Sequence, residues 1–288
     1  MMLLTLVIGR SPDTAWRRIC NAVEMNPDTI VVCNLKFPEH ELNVIKSHIQ
    51  LYIDSKRVYI NDKERRQSDI KNGKANLLDC HIQNYKFAIH NNLQFTHIYF
   101  ISDGDFFIRT GLYDFIKDYH VGGWIGNYII TPVETNIIRP DWDKLFVDPW
   151  YSKFYKDPRF MQLFSEQCES SFYCKELFQD IINFLDQNYP DYDQCKFNAE
   201  EATFHTIYRN LFMSKYPKYS PIVTIYRGTI TTEIINKIIE KNMPSDDKNG
   251  YGYDAFNHSK YFGVKRIIYP SHLYDYVISR IKHLIMNH

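Results

Sequence analysis

The chain has 288 residues, enough for one large domain or two small ones around a sizeable core. Its 34 Lys and Arg residues balance its 34 Asp and Glu residues, and hydrophobic residues make up 44% of the sequence. A neutral chain lacks the positive charge that a general nucleic-acid-binding protein needs. We therefore expect a globular protein with no nucleic-acid partner.

Cysteine spacing and the amino-terminal segment indicate the cellular compartment in which we expect the protein. The six cysteines include no Cys-x-x-Cys pair, a pattern that indicates neither a zinc site nor a dense disulfide framework. The apolar start MMLLTLVIGR is too short for a membrane span or an ordinary signal peptide. We expect no transmembrane segment and a cytoplasmic protein with reduced thiols, with peripheral attachment to a membrane as the alternative.

Strands and helices are predicted to alternate through the first hundred residues. The runs LLTLVIG, TIVVCNL, RVYIN and FTHIYFIS are apolar or β-branched and are typical of strands. Stretches with helical spacing lie between them, and Ser11 or Asp13 with Pro12 favours the start of the first helix. This alternation predicts an α/β fold with a mostly parallel central sheet flanked by helices.

The pattern after residue 105 is less regular. A short helix is predicted in RTGLYDFIKDYH, a strand in WIGNYIIT, and helices in YCKELFQDIINFLDQN, EEATFHTIYRNLFM, TEIINKIIEKN and SHLYDYVISRIKHLIMNH. Residues 136–168 are predicted to be an irregular excursion over the active face of the sheet. No internal repeat or linker is visible, so the chain is expected to form a single domain over residues 1–288.

Polar residues that follow the predicted strands are candidates for ligand contacts. Open α/β sheets bind ligands beyond the carboxyl ends of their parallel strands. Gly9, Arg10 and Asn34 stand at two such ends and are candidate donor-binding residues, near a nucleotide base and ribose. Asp103 and Asp105 follow the fourth strand in FISDGDFFI. Two carboxylates at that position can hold Mn²⁺ or Mg²⁺ against a diphosphate, but Asp-Gly-Asp is also a common turn.

Four blocks, in order, resemble the core-2/I-branching family of β-1,6-N-acetylglucosaminyltransferases and peptide O-xylosyltransferases. They are HIYFISDGDFFIRTGLYDFIKDY, QCESSFYCKELFQDIINFL, NAEEATFHTIYRN and HSKYFGVKRI. They are similar to the family's Ser-Gly-x-Asp, Gly-Ser-x-Trp, Asp-Glu and Phe-Ala-Arg-Lys-Phe blocks, and the likeness spans residues 1–266. The chain departs from each block: it has Ser102-Asp103-Gly104-Asp105 followed by Phe107 in place of proline, Glu169-Ser170-Ser171-Phe172, Glu200-Glu201, and Gly263-Val264 in place of Ala-Arg. These departures indicate a distant member.

The resemblance implies a GT-A-type nucleotide-sugar-binding fold and an inverting transferase that works without a metal cofactor. By position, Glu201 matches the family's catalytic base and Glu200 the acid before it. A base of this kind removes the proton of the acceptor hydroxyl as the oxygen attacks. From the residues alone, both glutamates could instead only stabilise the start of a helix, where negative charge is favourable.

The leaving nucleoside diphosphate needs a cation to balance its growing charge. The resemblance assigns this role to Lys265, together with a second basic residue at Lys241 or Lys248. It also implies acceptor contacts from Glu169, Ser170, Phe172 and Glu200, and it assigns Asp105 to the strand-end turn or to the donor. The expected division is a donor-binding half over residues 1–135 and an acceptor-binding and catalytic half over residues 136–288.

The resemblance suggests a UDP-sugar donor, with N-acetylglucosamine or xylose as precedents, and a glycan or polysaccharide acceptor. Two alternatives stay open. One is a metal-dependent GT-A glycosyltransferase that holds Mn²⁺ or Mg²⁺ at Asp103 and Asp105. The other is a carbohydrate-binding relative that has kept the fold without turnover. A P-loop kinase is excluded by the missing Gly-x-x-x-x-Gly-Lys-Ser/Thr loop.

Overall fold

The structure is a computed structural model, and the residues it describes are 1–9, 11–35, 37–52, 55–61, 77–123, 125–129, 146–166, 168–195, 199–220, 224–226, 229–240, 261–265 and 271–286. The helices are α1 (Pro12–Met25), α2 (Glu39–Tyr52), α3 (Leu77–His90), α4 (Leu112–Ile116), α5 (Pro149–Tyr155), α6 (Lys175–Asn188), α7 (Glu200–Ile207), α8 (Thr232–Ile239) and α9 (His272–Met286). The strands are β1 (Met2–Ile8), β2 (Thr29–Leu35), β3 (Val58–Ile60), β4 (His97–Ser102), β5 (Asp105–Phe107), β6 (Val121–Gly122), β7 (Ile125–Ile129), β8 (Phe164–Glu166), β9 (Phe172–Cys174), β10 (Tyr219–Ser220), β11 (Ile225–Tyr226) and β12 (Gly263–Lys265).

A sheet of seven strands, in the order β10-β6-β9-β4-β1-β2-β3, forms the centre of the fold. β1 runs parallel to both β2 and β4, and β2 runs parallel to β3. β9 is antiparallel to both of its neighbours, β4 and β6. The predicted α/β architecture with a mostly parallel central sheet flanked by helices is confirmed.

Two apolar layers cover the two faces of the sheet. Because successive side chains of a strand point to opposite faces, β1 supplies Leu3 to one layer and Leu4 to the other. The first layer includes side chains from α3, α6 and α7. The second includes side chains from α1, α2 and α9. The apolar runs of the strands are therefore buried on both sides, as expected for parallel strands.

The capping residues and Pro12 predicted the start of the first helix correctly. Ser11 is the N-cap of α1, and its hydroxyl accepts a hydrogen bond from the amide of Thr14 at 3.2 Å. Pro12 occupies the first helical turn, where its missing N–H costs no hydrogen bond. Of the two candidate caps, Ser11 is the one that caps, and Asp13 lies in the first turn.

Two sequence expectations need correction. Residues 146–166 are not irregular: they contain α5, capped by Asp148, and strand β8. Tyr173 and Cys174, which helical spacing assigned to the following helix, belong to strand β9 before α6. Three apolar residues are too few for periodicity to separate a strand from a helix.

A second, three-stranded sheet in the order β11-β12-β5 carries the segment after the Asp-Gly-Asp turn. Asn21 of α1 fixes β5 in place, because its amide nitrogen donates to the carbonyl oxygen of Phe107 at 2.8 Å and its amide oxygen accepts from the N–H of Phe107 at 2.7 Å. A buried amide that satisfies both groups of one residue acts as an additional strand partner. Helix α1 thus holds β5 and, through it, β12.

Gly263→Ala is expected to destabilise the fold by about 1–3 kcal/mol. A Cβ at Gly263 would lie 2.6 Å from the carbonyl oxygen of Phe106 and 2.7 Å from Cδ1 of Ile225, so β12 and β5 would have to separate. Chemical denaturation measures the loss. Gly104→Ala is the control, because its Cβ would meet no atom closer than 3.6 Å, and an equal loss in both variants would contradict the expectation.

Candidate active site

Polar residues gather where β1, β2 and β4 end. Val7 is paired with Asn34 on one side and with Ser102 on the other, so the three side chains share one face near the carboxyl edge of the sheet. Asn34 is buried, with 5% of its surface exposed, and Gly9 follows directly after β1. The predicted neighbourhood of Gly9, Asn34 and the Asp-Gly-Asp turn therefore exists. Arg10 lies outside the described residues.

The Asp-Gly-Asp turn folds back on itself through the carboxylate of Asp105. Oδ2 of Asp105 accepts hydrogen bonds from the N–H of Ser102 at 2.8 Å and from the hydroxyl of Ser102 at 3.2 Å. The Ser102 hydroxyl oxygen accepts in turn from the N–H of Gly104 at 3.3 Å. Arg18 of α1 closes the turn from outside, its Nε donating to the carbonyl oxygen of Asp103 at 3.0 Å.

These contacts bear on how well the turn suits a metal ion. One carboxylate oxygen of Asp105 is engaged by the two donors of Ser102, and the side chain is 5% exposed. Among the residues that the structure describes, no three His, Cys, Asp or Glu side chains gather in a way that suits a metal ion. Asp105 thus links the end of β4 to the start of β5, because its carboxylate accepts hydrogen bonds from the residue three positions earlier.

Lys265, which is 160 positions after Asp105 in the sequence, lies beside this turn. In the antiparallel pair of β12 and β5, Lys265 stands opposite Asp105. Its side chain runs along the turn, with Cγ and Cε 3.7 Å from where a Cβ on Gly104 would lie. Its Nζ lies 2.9 Å from Oε1 of Glu169, and each of these two side chains is 16% exposed. We call Ser102, Asp105, Glu169 and Lys265 the edge cluster.

The loop that carries Glu169 is fastened to β4. Ser170 has a positive φ of 74°, and its N–H donates to the carbonyl oxygen of Phe100 at 2.8 Å. The carbonyl oxygen of Ser171 accepts from the N–H of Phe100 at 3.0 Å. A non-glycine residue in the left-handed region is held there only by its surroundings. This strained loop sets the position of Glu169 beside Lys265.

The other residues of that block belong to the interior. Ser170 and Phe172 are both 0% exposed. Phe172 lies in β9, and its ring packs so closely on Gly122 that a Cβ there would be 2.4 Å from two ring carbons. Of the three acceptor residues predicted in this block, only Glu169 reaches the edge cluster in the described structure. The acceptor assignment for Ser170 and Phe172 stays a prediction that their burial does not favour.

Glu200 and Glu201 form the first turn of α7, as the sequence predicted, and are 3% and 6% exposed. Phe204 stacks on Phe100 of β4, with ring centroids 5.4 Å apart, and this stack holds α7 against the sheet. Residues four apart share a helix face, so Glu200 is aligned with Phe204 towards the sheet, and Glu201 with His205. Both carboxylates are thus buried in the first turn of a helix.

A buried polar group beneath the strand ends was not foreseen from the sequence. The amide nitrogen of Asn84 lies 3.4 Å and 3.2 Å from the carbonyl oxygens of Leu6 and Val32, so it must be the donor side of the amide. It also donates to Oγ1 of Thr5 at 3.1 Å, and that hydroxyl shares a hydrogen bond of 2.7 Å with Nδ1 of His81.

Burial lowers the pKa of His81 to about 4, although the negative charge of Glu169 acts in the opposite direction. The imidazole is consequently neutral at physiological pH. Polar residues spaced three apart on the apolar face of α3, His81 and Asn84, are the signal in the sequence that could have revealed this group.

The second basic residue predicted for the diphosphate, Lys241 or Lys248, lies outside the described residues.

The described part of the chain contains no helix long and apolar enough to cross a membrane. Each of the six cysteines is buried, and none of them forms a disulfide bond in the described structure. No protein-family model matches the sequence, and no curated protein matches it.

Three solved structures with a similar fold are sugar transferases. Mouse xyloside xylosyltransferase 1, in its apo form, has a TM-score of 0.41 and 10% identity over 91% of this chain and 98% of its own. The galactosyltransferase LgtC, in complex with donor and acceptor sugar analogues, has a TM-score of 0.40 and 10% identity over 98% and 96%. The PaToxG glycosyltransferase has a TM-score of 0.34 and 10% identity over 75% and 72%. Similarity at this level assigns no reaction, which must rest on the side chains of the edge cluster.

Proposed function

We propose that this chain is a glycosyltransferase that moves a sugar from a nucleoside diphosphate sugar to a hydroxyl group of a glycan or polysaccharide. The observation that carries the proposal is the position of Lys265, which lies beside the Asp-Gly-Asp turn at the carboxyl edge of the parallel strands. Ligands of open α/β sheets bind at this edge. An ammonium group there can meet a diphosphate.

The chemistry proposed for the edge cluster is metal-independent. As the bond between the sugar and the diphosphate breaks, negative charge grows on the leaving phosphate oxygens, and the Lys265 ammonium stabilises it. The proposed base is Glu201, which takes the proton of the acceptor hydroxyl while that oxygen attacks the opposite side of C1. Attack from that side inverts the anomeric configuration.

The donor proposed is a UDP-sugar, with N-acetylglucosamine or xylose as the transferred sugar. This choice follows the resemblance of the four sequence blocks to the core-2/I-branching family. Gly9 and Asn34, at the ends of β1 and β2, are proposed to lie near the nucleoside. Glu169 and Glu200 are proposed to contact the acceptor, and peripheral attachment to a membrane would suit a glycan acceptor.

Lys265→Ala is expected to weaken the binding of UDP about 10-fold or more, because a charge-assisted contact with phosphate is lost. Isothermal titration calorimetry with UDP in EDTA measures this effect directly. Lys153→Ala is the matched control, because it removes one exposed lysine from the last turn of α5. Equal affinity in the wild-type protein and Lys265→Ala would remove Lys265 from the donor site.

The same titration distinguishes a metal-independent enzyme from a metal-dependent one. Binding of UDP in EDTA, unchanged by added Mn²⁺, supports the metal-independent form. Binding that requires Mn²⁺ and disappears in Asp103→Asn would support the metal-dependent alternative at Asp103 and Asp105. Binding of UDP-sugars without any transfer or hydrolysis would favour a non-catalytic relative.

A further inference from the structure

The contact between Glu169 and Lys265 occupies the place where the proposed function puts a diphosphate. The carboxylate of Glu169 lies 2.9 Å from the ammonium, and both side chains are largely shielded, at 16% exposure. Salt screens such a pair less than it screens an exposed one. The ammonium of Lys265 therefore already has a close anionic partner in this structure.

The groups around the pair affect its charge. Glu169 also acts on His81, but burial keeps that ring neutral. Its Nδ1 is also occupied by the hydroxyl of Thr5 at 2.7 Å. Asp105, opposite Lys265 in the strand pair, adds a second carboxylate. Within the edge cluster the two carboxylates share one ammonium, so an entering diphosphate competes with Glu169 for Lys265.

We propose that Glu169 is a displaceable counter-ion that positions the ammonium of Lys265 in the empty site and releases it to the diphosphate of the donor. The inference rests on the proposed function and adds to it a residue that sets donor affinity. The exchange makes and breaks no covalent bond. The left-handed backbone of the neighbouring Ser170 fixes the loop, so the change is confined to the side chain of Glu169.

Glu169→Gln is expected to tighten the binding of UDP about three- to tenfold, because the competing charge is removed while the size of the side chain is kept. The gain should shrink when Lys265 is already alanine, because the pair then no longer exists. Calorimetry with UDP in EDTA on the four proteins of this double-mutant cycle measures both effects. Glu176→Gln is the control, because it removes one exposed negative charge at the start of α6.

The outcomes distinguish this inference from the function on which it rests. If Glu169→Gln leaves UDP affinity unchanged or weakens it, while Lys265→Ala still weakens it, the counter-ion role is wrong and the proposed function stands. An equal gain in Glu169→Gln and Glu176→Gln also overturns the role, because net charge alone then explains it. If neither the wild-type protein nor a variant binds UDP or any other nucleoside diphosphate, both the inference and the proposed function fail.

Discussion

Glu201→Gln is expected to lower sugar transfer by about 10²–10⁴-fold while UDP affinity stays unchanged. The amide keeps the size and the buried position of the side chain, which is 6% exposed in the first turn of α7, but it cannot accept the proton of the acceptor hydroxyl. Turnover with a UDP-sugar and calorimetry with UDP measure the two quantities separately. A loss of both would indicate a folding defect.

Glu200→Gln is the matched control on the same helical turn. Its side chain is equally buried, and it is proposed to contact the acceptor, so an effect on acceptor affinity larger than that on turnover is expected. If Glu200→Gln abolishes turnover and Glu201→Gln does not, the roles of the two carboxylates are reversed. Full activity in both variants would leave the glutamates as stabilisers of the helix start.

Lowering the pH from 6.5 to about 4 is expected to remove about 3 kcal/mol of the free energy of unfolding through His81. Above pH 6.5 its ring is neutral in the folded and the unfolded chain, so it adds no pH dependence. Below pH 6.5 the unfolded chain binds a proton that the folded chain does not, because burial holds the folded pKa at about 4. Stability therefore falls until the folded ring titrates.

Two other groups add to the acid sensitivity. The pKa of His97 is also lowered, mainly by burial, so its contribution has the same sign. The pKa of Asp157 is lowered mainly by its hydrogen bond with Arg159, and the stability from that carboxylate is lost only as the pH falls below its ordinary pKa of 3.8. His81 and His97 therefore both contribute to the loss between pH 6.5 and about 4.

Denaturant unfolding at several pH values between 7.5 and 4.5 measures this loss. His81→Asn is expected to be less stable than the wild-type protein at pH 7.5. Its stability should depend less on pH, because its amide can still share a hydrogen bond with Thr5 and does not titrate. His90→Asn removes an exposed imidazole from the other end of α3 and is the control. An unchanged slope in His81→Asn would contradict the assignment.

Much of the local structure around the candidate site could be predicted, because short segments of the sequence specify it. The strand end at Ser102, the turn at Asp105 and the helix start at Glu200 and Glu201 each depend on a few neighbouring residues. The placement of these groups at strand and helix ends followed from periodicity and turn chemistry. The resemblance to a known family added Lys265 and Glu169 as candidates.

The sequence by itself determined the alternation of strands and helices, the start of α1 close to Ser11 and Asp13, and the turn after β4, since hydrogen bonds and side-chain spacing within a few residues specify each of them. Only the tertiary structure decided that β9 enters the sheet antiparallel and that β12 brings Lys265 opposite Asp105 and next to Glu169. It also decided that the hydroxyl of Thr5 joins Asn84 to His81. Contacts between distant segments depend on how the whole core packs, and no local pattern records them.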